Sequence, residues 1–236
     1  ISEEKFVSAI GVPLIAKGQL RGVLELFNRS SITPDEEWFT LLDTLAKQAA
    51  IAIDNASVMM ELQQSNRELA LAYDATIEGW SRALELRDSE TQGHAQRVTL
   101  LTVRLARLAG MDEEQIVHVR RGAMLHDIGK MGLPDSILLK TGPLTTDEIE
   151  VMHKHPLYAM KMLSTVPHLR PAMDIPVYHH EKWDGTGFPL GLRGEEIPLV
   201  GRIAALCGFA AIYFCMRGLV DTAPAEARVN RLLRAN

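Results

Sequence analysis

Two short runs dense in apolar residues open the chain, Phe6 to Ala16 and Gln19 to Asn28, separated by Lys17-Gly18. A two-residue break containing glycine between such runs predicts a β-hairpin. Next, Thr33-Pro34-Asp35-Glu36 reads as a helix start, with Thr33 as N-cap, Pro34 at the first helical position and Glu36 closing a capping box. Trp38, Leu41, Leu42, Leu45 and Ala49 then keep helical spacing, and this face is expected to pack on the hairpin. No proline interrupts the sequence between Pro34 and Arg87, so the helical pattern runs on. Within it Met59, Leu62, Asn66, Leu69 and Tyr73 advance in alternating three- and four-residue steps, the seam of a coiled coil. Asn66 is the polar seam residue that fixes register, and a parallel homodimer through this linker helix is predicted.

From about Ala75 onward the apolar positions follow helical spacing only. His94 to Leu108 is amphipathic and stops at Gly110, and Asp112 caps a helix running to His126. Thr145 or Thr146 starts another that carries Met152, His155 and Met160. A further helix ends near His179-His180, and Ile203 to Tyr213 forms a last, apolar one. The pattern is that of an all-α bundle, a fold whose facing helices often build metal sites.

Composition narrows the function classes. The 236 residues suffice for one large domain or two small ones, and 47% hydrophobic with 23% charged residues is ordinary for a soluble globular protein. A formal net charge of −5 leaves no broad basic footprint for nucleic acid. No apolar run approaches the roughly 20 residues of a membrane span, and no signal peptide opens the chain. Cys207 and Cys215 lack a CxxC spacing and read as reduced core thiols of a cytoplasmic protein. The chain opens in the middle of what reads as a domain, so a longer parent protein is expected.

The chemistry centres on Leu125-His126-Asp127-Ile128-Gly129-Lys130. Adjacent His and Asp side chains cannot share one face of a regular helix, but they converge where a helix ends, and Gly129 offers such an end. A neutral imidazole beside a carboxylate makes a ligand pair for divalent first-row metals. Glu90 and His94 stand upstream, His155 downstream, then the doublet His179-His180. Glu90 and His94 are four apart and share a face if that turn is helical, whereas Gly93 allows a tight loop before the helix. This excess of nitrogen and carboxylate donors, with no cysteine among them, suits two or three clustered ions such as iron or manganese. His118, His153 and His168 read as surface or packing residues.

Two resemblances follow from these residues. "VSAIGVPLIAKGQLRGVLELFNR" and "LAKQAAIAIDNA" resemble the last strands and closing helix of a GAF domain, a small-ligand sensor. "HDIGK", "HHEKWDGTGFP" and "IPLVGRIAAL" resemble the signature of HD-GYP domains, metal-dependent phosphohydrolases of the HD superfamily. The combined expectation is an α+β chain. It would hold a partial GAF α/β segment over 1–56, a coiled-coil-like signalling helix over 57–74 and an all-α HD-type helical bundle over 75–236. The second resemblance implies hydrolysis of the bacterial second messenger cyclic di-GMP to pGpG or GMP. It also implies Glu90, His94, His126, Asp127, His155, His179 and His180 as metal ligands, with Asp127 and Lys130 in the catalytic role. Lys130, Asp184, Gly185, Gly187 and Arg217 would meet the substrate, and Phe188 stands where the family has tyrosine.

The sequence departs from that pattern in two places. Aspartates expected near 208 and 211, the first a metal ligand, are Gly208 and Ala211; of an Arg-Pro-Tyr-Arg run only Arg217 remains, before Gly218-Leu219-Val220. Losing a carboxylate from a metal cluster should lower occupancy of at least one site. An alternative expectation is therefore a degenerate, catalytically weak domain that regulates partners such as diguanylate cyclases.

Overall fold

The computed structural model describes residues 5–88 and 93–216. Its contacts divide the chain into two units, Ile1–Ala72 and Tyr73–Asn236.

In the first unit, β1 (Ser8–Ala16) pairs antiparallel with β2 (Gln19–Asn28), and the register runs from Ser8 opposite Asn28 to Ala16 opposite Gln19. Lys17 and Gly18 both adopt left-handed backbone angles, φ 50° and 77°. Two such residues make the mirror-image turn whose twist matches that of the strands. The helix α1 runs from Glu36 to Arg87. Its cap is Asp35, whose Oδ1 accepts the Trp38 N–H at 2.8 Å, so the start lies two residues beyond the expected Thr33. Thr33 precedes a proline and is biased towards extended backbone, which leaves the next short carboxylate to cap.

The face of α1 turned to the hairpin agrees with expectation only in part. Leu42, Ala46 and Ala50 are buried, and Ala46 and Ala50 pack with Leu14, Ala16 and the partly buried Ala49, whereas Leu41 and Leu45 remain 59% and 54% exposed. Alanines at four-residue steps let the helix axis come close to the sheet, which larger side chains would prevent. Asp54 continues this line and is buried, paired with Lys17 at 2.9 Å and Arg21 at 2.6 Å.

The second unit, among its described residues, is helical. α2 (His94–Leu108) and α3 (Glu113–Met124) pack with α7 (Asp174–Tyr178) and α8 (Leu199–Met216) around Val98, Ala106, Val119, Ile175 and Cys207. Asp112 caps α3 in a reciprocal box with Gln115. α4 (Asp135–Leu138), α5 (Thr146–Met152) and α6 (His155–Leu163) follow, with Thr145 capping α5 through Glu148.

The single helix expected over Met152, His155 and Met160 is two helices, broken at His153-Lys154. The sequence cue is Pro156 in the first turn of α6: it has no N–H for the Met152 carbonyl, and its ring would clash there. α8 also outruns its expected limits of 203 and 213 at both ends.

Candidate metal centre

α3 ends at Met124, two residues before His126, and a 3₁₀ turn spans Ile128–Gly132. His126 and Asp127 lie in the link between them, held from both sides. Leu125 and Ile128 are buried in one cluster with Ile77, Ala159 and Leu163. Gly129 does not end α3 through a left-handed angle, as the sequence suggested. It lies against α6, where an added Cβ would stand 1.8 Å from the His155 carbonyl oxygen. Glycine here brings Asp127 and His155 together.

Three imidazoles are oriented in the same way. The Nδ1 of His126 lies 2.8 Å from the Ala123 carbonyl, that of His155 2.8 Å from Met152, and that of His179 3.1 Å from Ile175 and Pro176. A carbonyl can only accept, so each Nδ1 carries the proton and each Nε2 presents a lone pair. Those lone pairs converge on Asp127. His126 Nε2 is 3.1 Å from its Oδ2, while His155 and His179 Nε2 are 3.4 and 3.6 Å from its Oδ1. Asp127 Oδ1, His155 Nε2 and His179 Nε2 are buried without hydrogen-bond partners among the described residues. A cation between them would satisfy lone pairs that face a carboxylate in a buried place, and this donor set of nitrogen and oxygen fits a divalent metal.

Two ligand groups result. Asp127, His155, His179 and His180 form one; His94, His126 and Asp127 form the other, and Asp127 belongs to both. His94 is the first residue of α2 and follows Gly93, which has a left-handed φ of 74°. Glu90 and Arg217 lie outside the described residues.

The electrostatics suit ligation. Burial lowers His94 and His155 to about 4 each; the nearby His126 adds to the effect at His94, while Asp127 opposes it at His155. His179 and His180 are also lowered, first by burial. The rings are therefore neutral near pH 7 with donor lone pairs available. Burial would raise the Asp127 carboxyl, but its interactions with His126 and Lys130 outweigh burial and hold it well below the usual carboxylate range. The Lys130 ammonium stands 3.0 Å from Asp127 Oδ2 and 2.9 Å from Asp88 Oδ2.

The groups open into a cleft of about 600 Å³ whose walls include Lys130, His153, Lys182, Phe188 and Gly208. Asp184, Gly185 and Gly187 are not among the lining residues and lie in the loop between Lys182 and Phe188, which are. Asp184 Oδ1 accepts the Thr186 N–H and hydroxyl at 2.9 and 2.7 Å. Gly185 adopts φ 78°, and a Cβ on Gly187 would meet the Lys182 nitrogen at 2.3 Å.

Sequence reasoning missed one residue. Buried Glu181 accepts the Leu190 and Leu192 N–H groups at 2.7 and 3.0 Å, fixing the loop that carries Phe188. His153, expected to be a surface or packing residue, is exposed and stacks on Phe188 at 3.9 Å, and Phe188 stacks in turn on His180 at 4.6 Å.

Residues 79–211 match the HD domain and residues 1–53 the GAF domain. The chain belongs to the HD-domain family, which implies that this cluster binds divalent metal. It is 36% identical over 168 residues to 3'3'-cGAMP-specific phosphodiesterase 2 of Vibrio cholerae, covering 70% of this chain and 31% of that protein. It is 45% identical over 124 residues to a cyclic di-GMP phosphodiesterase of Thermotoga maritima, covering 52% and 34%. The chain thus spans about a third of the length of these curated relatives. Among solved structures, an HDG"Y"P protein of Bdellovibrio bacteriovorus aligns with a TM-score of 0.45 at 21% identity, covering 61% of this chain and 53% of that one. Among the described residues no helix is long and apolar enough to cross a membrane.

Proposed function

We propose that the chain is a metal-dependent phosphodiesterase of HD-GYP type that opens a cyclic dinucleotide, with cyclic di-GMP as its substrate and pGpG or GMP as product. The observation that carries this reading is one carboxylate, Asp127, shared by two groups of histidine donors at the wall of a cleft of about 600 Å³. The activities named for the Vibrio and Thermotoga relatives support it.

His94, His126 and Asp127 would hold one ion, and Asp127, His155, His179 and His180 a second. Glu90 is the candidate for a third, and iron or manganese suits the donors. Divalent ions held there supply an activated water and take up charge on the phosphate. Lys130 adds a positive contact for the non-bridging phosphate oxygens. Arg217 would add another. Phe188, between His153 and His180, braces the imidazole that completes the second group. Asp184, Gly185 and Gly187 serve by setting the loop's shape. Two copies would pair through the α1 seam, where Met59, Leu62 and Leu69 are 54–57% exposed. A cytoplasmic location accords with a second-messenger substrate.

A second reading, a binding regulator with diguanylate cyclases among its partners, is favoured by Gly208, which lines the cleft where the family pattern expects a carboxylate. Incubation with cyclic di-GMP or 3'3'-cGAMP and Mn²⁺ or Fe²⁺, with products separated by chromatography, tests both. Product formation that disappears in Asp127→Asn supports the enzyme. Binding without turnover moves the account to the regulator, and neither binding nor turnover refutes both.

A further inference from the structure

The end of α1 reaches two of the segments that carry the metal groups, the turn after Asp127 and the start of α2. Arg87, its last residue, donates from Nη1 to the Met131 carbonyl at 2.9 Å and from Nη2 to the Leu133 carbonyl at 2.8 Å. It also holds the Asp135 carboxylate, through Nε at 3.2 Å and Nη2 at 2.7 Å. One planar guanidinium thereby ties down the whole turn that follows Asp127, in a way that a lysine ammonium cannot match. The next residue, Asp88, holds the Lys130 ammonium at 2.9 Å, with both side chains about nine-tenths buried. Two residues before Arg87, Glu85 accepts the Gly93 and Ala95 N–H groups at 3.3 and 3.4 Å. Gly93 has no side chain to cap α2, so the cap of the helix that begins with His94 comes from α1.

We infer that Arg87 is a positioning residue for the metal centre, the main fastening by which the last turn of α1 sets the geometry of the Asp127–Lys130 turn. The inference rests on the metal-site reading above. Glu85 and Asp88 act in the same place, so a change in the end of α1 would reach His94, Asp127 and Lys130 together. This gives the long helix a physical means of altering the centre: its terminal side chains hold the ligand-bearing backbone, and moving them moves the ligands.

The test uses the full chain, first free of metal and then titrated with Mn²⁺, and compares Arg87→Ala, Arg87→Lys and Arg107→Ala with the unmodified protein. Arg107 pairs with Glu113 on the surface and is the control. Hydrogen exchange of the metal-free protein should show lost protection over 128–133 in Arg87→Ala and none in the control. Mn²⁺ affinity should fall about 10- to 100-fold in Arg87→Ala, the range for groups that orient metal ligands, and by less in Arg87→Lys. The lysine variant keeps the charge, and its result stands in if the alanine variant does not fold. Unchanged exchange, or changed exchange with unchanged Mn²⁺ affinity, overturns the inference while leaving the metal centre intact. Failure of the unmodified chain to bind Mn²⁺ overturns the metal-site reading itself, and with it the role assigned to Arg87.

Discussion

Replacing Gly208 by aspartate should repair the metal centre. Gly208 lies on α8 and lines the cleft with His126, Asp127, His179 and His180. A Cβ built at this position meets nothing within 4 Å among the described residues, so the first atom of the new side chain enters open space. Asp for Gly inside a helix gains a few tenths of a kcal/mol in propensity, too little to account for any large change in activity. Even groups that only support a metal ligand commonly matter about 10- to 100-fold, which corresponds to about 1.4–2.7 kcal/mol. A direct carboxylate ligand should matter at least as much. Gly208→Asp should therefore bind Mn²⁺ at least about 10-fold more tightly and hydrolyse cyclic di-GMP faster by a similar factor. Calorimetric titration and chromatography of pGpG and GMP provide the two readings. His126→Ala in the same background should abolish both gains. If the unmodified chain already equals the variant in both, the centre assembles without that carboxylate and the reasoning fails.

Three other outcomes are expected. His126→Ala should lose metal far more than His118→Ala by elemental analysis, because only His126 belongs to a ligand group; equal losses would show that the wrong histidines were assigned. Lysine at both Leu62 and Leu69 should shift a dimer towards monomer in light scattering, whereas a monomeric unmodified chain at micromolar concentration refutes the pairing. In the hairpin unit, the hydrogen bond from Lys17 lowers the Asp54 carboxyl despite opposing burial, and the Lys17 and Arg21 charges lower it further. A depressed folded-state value means that its stabilisation is present above about pH 4, the unfolded carboxylate range, and is lost as pH falls through the folded value. Thermal melting should accordingly lose stability on acidification more steeply than in Asp54→Asn, and identical slopes would contradict the pairing.

How much of this was legible depended on the range of the interactions. The hairpin turn, the capping residues Asp112 and Thr145 and the uninterrupted α1 are local, so their signals sit within a few residues. The histidines that the two groups bring together could be picked out in sequence because few other arrangements use so many such donors. The buried face of α1 was legible only in part, at Leu42 and Ala49: leucines at 41 and 45 carry the stronger apolar signal, but alanines at 46 and 50 allow the close approach to the strands. Gly129 shows the same limit, since its reason is the His155 backbone, 26 residues along the chain. Arg87 and Glu181 carry no motif spacing of their own, and their partners are loop carbonyls or amides that only the folded chain identifies.

The central claim is that Asp127 joins two groups of histidines into one metal centre. Its most direct test is metal content per chain, measured by elemental analysis after anaerobic purification with Mn²⁺ or Fe²⁺ supplied, for the unmodified protein and for Asp127→Asn. The account predicts stoichiometric metal in the unmodified chain and loss of most of it in the variant, which keeps the shape of the side chain but not its charge. A metal-free unmodified chain, or equal metal in the two proteins, would contradict it.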